Sequence, residues 1–355
     1  MIVDDSPLVR KLVSDILHRD PDLSVVSTAP NGELALSKIE KYQPDVITMD
    51  MEMPGIGGLS AVQQIMDRRP TPIVMLSAFA KEGAEKTVQA LELGAVDFIA
   101  KPTGSLSGGV ESIAAPLIDK VKAAAKVRMN RRKAPISVTD FGYGERRSAK
   151  TRAYIDRGTQ GAVELIAIGA STGGPVALKQ MLSLLPEELP AGIVIVQHMP
   201  PVFTQAFAKR LDTLCKLRVK EAEEGDSIVP GSALIAPGGY HMTVLRRHTS
   251  HTVHLNRDDP VMGLRPSVDV LLNSVATDYG KRALGVILTG MGRDGAKGMA
   301  ALKKSGGVVI AQDRDSSVIY GMNREVIEDG NADEVLPIYS IAESIVSRCG
   351  VLIKT

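Results

Sequence analysis

The sequence predicts an α/β protein made of two successive doubly wound units, each a largely parallel sheet with helices on both faces. Three observations lead there. Short apolar runs alternate with amphipathic stretches along most of the chain, the pattern of strand–helix units in a parallel sheet. Chemically useful residues stand directly after several of these runs, at the strand ends where open α/β sheets carry their sites. The alternation breaks once, over residues 126–162, where basic side chains such as Lys126, Arg131, Arg132, Lys133, Arg146 and Arg147 dominate. This stretch reads as a linker. The predicted division is therefore 1–125, a basic linker over 126–162, and 163–355.

In the first unit, strands are expected over 23–29, 46–49, 73–76 and 97–100. Helices are expected over 7–19, 33–42, 58–68, 83–93 and 110–126. Ser6 is a candidate N-cap, with Pro7 in the first turn. In the second unit, strands are expected over 165–169, 193–197, 233–236, 242–246, 252–256, 283–288 and 308–312, with an antiparallel hairpin around His248. Helices are expected over 175–184, 202–215, 267–279, 296–305 and 323–328. Only Met1, Ile2 and Val3 precede the Asp4-Asp5 pair. A central strand is expected to run for about five residues, so the reading expects the native start to lie a few residues upstream.

Composition excludes several classes. The 42 Lys+Arg nearly balance the 41 Asp+Glu, which argues against a globally basic nucleic-acid binder. Aromatic content is 3% with no Trp, a poor basis for base stacking. The charge of the linker is compatible with solvation, with an acidic partner or the neighbouring domain, and with nucleic acid. The two cysteines, Cys215 and Cys349, supply neither a disulfide framework nor metal-ligand spacing; both read as buried structural thiols. No apolar run approaches the ~20 residues that span a bilayer, and the N-terminus lacks a signal-peptide pattern. A cytoplasmic protein without direct membrane insertion is expected.

Asp4 and Asp5 follow the first strand, and Asp50 closes the third. Three carboxylates converging on one sheet edge repel unless a cation neutralises them, and hard oxygen ligands suit Mg²⁺. Ser77 and Lys101 end the next two strands. A hydroxyl and an ammonium beside three carboxylates form a phosphoryl-accepting site. Asp4-Asp5-Ser6, Asp50 with Met53-Pro54-Gly55, Ser77-Ala78 and Lys101-Pro102 together resemble the response-regulator receiver domain, a flavodoxin-like fold, over about residues 1–125. The resemblance implies that Asp50 accepts phosphate from a histidine kinase and that Asp4, Asp5 and Asp50 hold Mg²⁺. It further implies that Ser77 and Lys101 sense the phosphate, that Phe98 occupies an aromatic switch position, and that Pro102 follows a cis bond.

Gly169-Ala170-Ser171-Thr172-Gly173-Gly174 follows an apolar strand and opens a helix. Alone it fits a phosphate-cradling loop, a G-x-S-x-G nucleophile elbow or a tight turn. His198 and Asp294 also stand just beyond predicted strands. If those strands are neighbours, nucleophile, base and orienting acid meet on one edge. The chain order Ser171, His198, Asp294 differs from the Ser, acid, His order of α/β-hydrolases, so the literal elbow match does not give that fold. The remaining histidines, His241, His248, His251 and His254, look like a hairpin surface. A DNA-binding output domain would need a helix-turn-helix, and a nicotinamide dehydrogenase a different glycine spacing.

Gly169–Gly174, Gln197-His198-Met199-Pro200, Ala236-Pro237-Gly238-Gly239 with His241-Met242, Arg265-Pro266-Ser267-Val268-Asp269 and residues 289–295 occur in order. Together they resemble the catalytic domain of chemotaxis protein-glutamate methylesterases over about residues 163–350. Met262-Gly263-Leu264 departs from that pattern by being less polar. The resemblance implies a Ser171–His198–Asp294 triad, an oxyanion held by the Met291 amide, and Thr172 lining the site or capping the helix. It implies no cofactor in the esterase site. The substrate would be methylated chemoreceptor cytoplasmic helices, with a chemotaxis histidine kinase as phosphodonor and deamidation of receptor glutamines as a second activity.

Overall fold

The computed structural model describes residues 1–101, 106–127, 129, 163–247 and 250–350. Pro102, His248 and almost all of the basic stretch lie outside these residues.

The first sheet has the order β2-β1-β3-β4-β5, all parallel. Its strands are β1 (Ile2–Val3), β2 (Thr28–Ala29), β3 (Ile47–Asp50), β4 (Ile73–Ser77) and β5 (Asp97–Ala100). Five helices cover it: α1 (Pro7–Leu17), α2 (Gly32–Tyr42), α3 (Gly57–Arg68), α4 (Lys81–Glu92) and α5 (Leu106–Ala124). Strand alternation divides the core. Ile2, Val74 and Leu76 pack with Val13 and Ile16 of α1 and Leu117 and Val121 of α5. Val3, Ile73 and Met75 face Ile39 of α2, Ile65 of α3 and Val88 of α4. Ser6 caps α1 by accepting from the Val9 amide at 3.4 Å, and Asn31 caps α2 by accepting from Leu34 at 2.9 Å.

The second sheet has seven parallel strands in the order β14-β13-β12-β6-β7-β9-β8. They are β6 (Leu165–Ala170), β7 (Gly192–Gln197), β8 (Arg218–Glu221), β9 (Ser232–Ile235), β12 (Ala283–Ile287), β13 (Val308–Gln312) and β14 (Glu334–Leu336). An antiparallel hairpin pairs β10 (His241–Arg247) with β11 (Ser250–Asn256). On one face lie α6 (Gly174–Leu182), α7 (Phe203–Asp212) and α11 (Ile338–Arg348). On the other lie α8 (Val268–Asp278), α9 (Ala296–Lys304), α10 (Met322–Glu328) and the hairpin. The buried residues facing α6 and α7 join those on the α2–α4 side of the first sheet in one apolar cluster.

Three elements differ from expectation at the sheet edges. The strand expected over 23–29 shrinks to Thr28–Ala29, with Val26 exposed. β8 and β14 are unanticipated; both are short and polar, as edge strands usually are. α11, also unanticipated, buries Ile338, Ile341, Ala342, Ile345 and Val346 on one stripe. Cys349 is buried, but Cys215 is only half-buried; burial lifts both thiols to about 11.

The close approach of α9 to α8 depends on Gly298, where an added Cβ would sit 2.5 Å from Leu272 Cβ. Leu272 is fully buried. Leu272→Ala should therefore remove about 2–5 kcal/mol of stability, read as a lowered denaturation midpoint at unchanged slope. A loss near zero would show that this helix pair closes over the gap.

Candidate active site and acidic pocket

Asp4 and Asp50 are buried at the carboxyl ends of β1 and β3, and Asp5 is exposed beside them. Oxygens of all three lie within 4.8 Å of one another. Lys101 Nζ bridges Asp4 Oδ2 at 3.1 Å and Asp50 Oδ1 at 2.8 Å. Burial drives the Asp50 carboxyl above its ordinary range, and Lys101 only partly opposes it. Burial also works against the Lys101 ammonium, but the two carboxylates outweigh it and raise its pKa. One ammonium for three carboxylates leaves the pocket short of positive charge. An all-oxygen donor set of this kind fits a hard divalent cation such as Mg²⁺.

Ser77 is turned away from this pocket. Its hydroxyl donates to the Gly83 carbonyl of α4 at 3.1 Å and accepts from Thr87 at 2.6 Å. Phe98 is buried, with its ring stacked on Phe203 of α7 at 4.5 Å between centroids.

In the second sheet β12, β6 and β7 are adjacent and parallel. Ser171 follows β6, His198 follows β7, and Asp294 lies in the turn after β12, so all three reach one edge. The turns are tied together by the Ser171 amide to the Thr289 carbonyl and the His198 amide to the Ala170 carbonyl, both 3.1 Å. Gln197 Nε2 donates to the Ser171 carbonyl at 3.0 Å. Gly290 must be glycine, since an added Cβ would lie 2.8 Å from Ser171 Cβ and 2.4 Å from Met322 Sδ.

His198 Nε2 lies 2.8 Å from Asp294 Oδ2. With the carboxylate ionised, Nε2 carries the proton and Nδ1 remains the nitrogen able to accept one. Asp294 is 1% exposed. Burial alone would raise its pKa, but the His198 contact and the backbone N–H groups of Asp269 and Val268 more than compensate and lower it. Among the described residues Ser171 Oγ has no hydrogen-bond partner and the Met291 amide donates to none. The N-terminus of α6, beginning at Gly174, carries the partial positive charge that favours an anion nearby.

Thr172 is not a helix cap. Gly173 holds the cap position, and the Thr172 hydroxyl donates to Asp97 of β5, in the first unit. Asp97 also accepts from Lys120 Nζ and the Phe98 amide, both at 2.7 Å. Nearby, Glu92 of α4 pairs with Arg210 at 2.8 Å and Lys179 at 3.1 Å. The residue next to Ser171 is thus fastened to the first unit. The sequence reading missed Asp97, for which no pattern signals a contact across the units.

Nor is His241 a surface residue. It is 1% exposed, because β10 begins against the N-terminus of α8; its Nδ1 accepts from the Ser267 amide at 3.2 Å. His251 stacks on Tyr279 with centroids 4.0 Å apart, and His254 pairs with Glu224 at 3.0 Å.

Comparison with known proteins assigns both units. The family model for the response regulator receiver domain matches residues 1–107, and that for CheB methylesterase matches residues 166–345. A protein-glutamate methylesterase/protein-glutamine glutaminase of Symbiobacterium thermophilum is 47% identical over 352 residues, 99% of this chain and 96% of that protein. A Pseudomonas aeruginosa protein of the same name, numbered 2, is 44% identical, covering 98% of this chain and 96% of its own. The crystal structure of the Thermotoga maritima CheB methylesterase catalytic domain superimposes with a TM-score of 0.52 at 44% identity, covering 53% of this chain and 99% of that one. With a receiver domain ahead of a serine, histidine and aspartate on three adjacent strand ends, the chain belongs to the CheB methylesterase family.

Proposed function

We propose that this chain is a phosphorylation-controlled serine esterase that removes methyl groups from glutamyl esters on the cytoplasmic helices of chemoreceptors in chemotaxis adaptation. Residues 1–125 form the receiver, 126–162 the connection and 163–355 the esterase. The observation that carries the reading is the convergence of Ser171, His198 and Asp294 on neighbouring strands, with His198 already bonded to a buried, ionised Asp294. The names of relatives that match nearly the whole chain supply the substrate class.

Ser171 Oγ attacks the ester carbonyl while its proton passes to His198 Nδ1. Asp294 holds the imidazole in the required tautomer and offsets the charge that forms on it. The Met291 amide, which donates to no acceptor among the described residues, and the start of α6 stabilise the oxyanion. His198 then protonates the departing oxygen and methanol leaves. Water, deprotonated by the same histidine, hydrolyses the acyl-serine and restores the glutamate carboxylate. A glutamine side chain undergoes the same steps with ammonia as leaving group, which is the deamidase activity. A substrate on receptor cytoplasmic helices requires the enzyme in the cytoplasm. No described helix is long and apolar enough to cross a membrane.

Control comes from the receiver. Asp50 accepts phosphate from a chemotaxis histidine kinase. Asp4, Asp5 and Asp50 would hold Mg²⁺, which would supply charge neutralisation for the phosphoryl group. Lys101 pairs with the new phosphate, and Ser77 leaves the Gly83 carbonyl of α4 to donate to it. That exchange loosens α4, the helix carrying Glu92 toward Arg210 and Lys179, and frees Phe98 from Phe203. The Asp97–Thr172 contact parts with them, and the site opens.

Ser171→Ala should abolish nearly all methanol release from methylated receptor, and Asp294→Asn should lower kcat by about 10⁴-fold. Methanol release at the wild-type rate by Ser171→Ala would overturn the assignment. Asp50→Ala should retain basal hydrolysis but lose stimulation by a small phosphodonor with Mg²⁺. Removing residues 1–150 should raise basal turnover; a truncated enzyme no faster than the unphosphorylated full chain would sink the occlusion mechanism.

A further inference from the structure

Each oxygen of the Asp294 carboxylate has two donors. Oδ2 accepts from His198 Nε2 at 2.8 Å and from the Val268 amide at 2.7 Å. Oδ1 accepts from Ser267 Oγ at 2.8 Å and from the Asp269 amide at 3.0 Å. Three of the four donors come from the first residues of α8, the cap Ser267 and the two amides that follow. A carboxylate removed from water needs this saturation to stay ionised, and two donors on each oxygen also fix its plane. Of the three donors from α8, only Ser267 contributes through a side chain.

We propose that Ser267 is a positioning residue for the catalytic acid: its hydroxyl holds Oδ1 of Asp294 so that Oδ2 stays aligned with His198. This rests on the reading of Asp294 as the acid of the triad. The alternative is that Ser267 only caps α8; it does cap the helix, but its short bond is to Asp294. The cap bond, from the Val270 amide to Ser267 Oγ, is 3.5 Å. The side-chain caps of α1 and α2 are 3.4 Å and 2.9 Å, so a cap of this length is no exception here; hydroxyl donors favour 2.7–2.8 Å. The hydroxyl accepts the long cap bond and donates the short one to Asp294, so the cap alone does not account for where its proton goes.

The rest of the neighbourhood seats Ser267. The serine is fully buried. Its amide donates to Nδ1 of His241, whose Nε2 lies 3.2 Å from the Asp259 carbonyl. That pair of contacts requires His241 neutral with the proton on Nε2. The next side chain, Val268, is wedged between two glycines: a Cβ on Gly169 would approach Val268 Cγ1 to 2.4 Å, and one on Gly295, the neighbour of Asp294, to 2.9 Å. The serine hydroxyl therefore has little freedom except rotation about χ1, and its proton has one charged acceptor.

The test uses the full-length enzyme and methylated receptor. Loss of a hydrogen bond to a charged group should lower kcat about 10- to 100-fold in Ser267→Ala, with KM nearly unchanged. The low-field proton resonance of the His198–Asp294 bond should shift or broaden. Ser267→Thr keeps the hydroxyl and should restore kcat. Ser267→Asp keeps a good cap but replaces the donor with a second carboxylate, so it should be at least as impaired as alanine. If aspartate restores activity, or alanine keeps the wild-type kcat, Ser267 is only a cap and the proposal is wrong. Should the alanine variant not fold, the threonine and aspartate variants decide by the same criteria. Asp294→Asn is measured alongside. If it is fully active the triad reading itself fails, whereas an impaired Asp294→Asn beside an active Ser267→Ala sinks only the role given to Ser267.

Discussion

The second sheet is organised around one buried negative charge. Moving a carboxylate out of water is unfavourable by several kcal/mol even after relaxation, and Asp294 is almost wholly enclosed. Four donors hold it ionised, and most of the surrounding architecture can be read as what places those donors. α8 begins where it does so that its first amides point at the carboxylate. Gly169 and Gly295 have no side chains, so Val268 can seat that helix start against β6. Asp269, next along, spends its own carboxylate on the Gly298 amide at 2.7 Å and so ties α9 to α8. Burial raises the Asp269 pKa, against the lowering of Asp294. Of two neighbouring acids, the fold favours ionisation of the one that meets histidine and works against it in the other.

Strand order links that charge to Ser171. Because β12, β6 and β7 are consecutive in the sheet, residues far apart in sequence are brought within one turn of each other, and their backbones bond directly. The same geometry leaves the site open to control. Thr172, next to Ser171, bonds to the first residue of β5, and Phe98 follows it into the α7 surface. At the far end of the same receiver sheet, the Ser77 hydroxyl is engaged with α4 rather than with Asp50. The acidic pocket and the serine are thus joined by a short, packed route through β4, α4 and β5.

Much of this was legible in the sequence because parallel-sheet proteins put their chemistry at strand ends. An apolar run followed by Asp, Ser or His is a visible pattern, and Asp4, Asp50, Ser171, His198 and Asp294 all lie where the pattern puts them. What was not legible depends on contacts between elements. The edge strands β8 and β14 bury too little to show a period. α11 did carry a helical stripe from Ile338 to Val346, so that omission was one of reading. His241 looked like a hairpin residue because strand alternation cannot tell which neighbour covers the strand. Asp97 and Ser267 are ordinary letters in an edge position and a helix cap. Only the packed structure reveals that one reaches the other domain and the other reaches the buried acid.

The strength of the contact between the two units is itself constrained by the control proposed for it. Driving a two-state equilibrium from 1:99 to 99:1 takes about 5.5 kcal/mol. A covalent phosphate that gains one to three charge-assisted hydrogen bonds can supply free energy of that order, so the closed state must not be much more stable than that. The interface has the right composition. The Glu92–Arg210 pair is partly exposed, and such pairs contribute about 0.2–1 kcal/mol. The Phe98–Phe203 stack adds about 0.5–1.5 kcal/mol beyond the area it buries. Asp97 keeps its Lys120 partner whether or not Thr172 is bound, so opening leaves no unpaired buried charge behind. These polar and aromatic contacts lie beside an apolar cluster continuous across the two units, so opening must also expose apolar surface, and the phosphoryl group has to offset that as well.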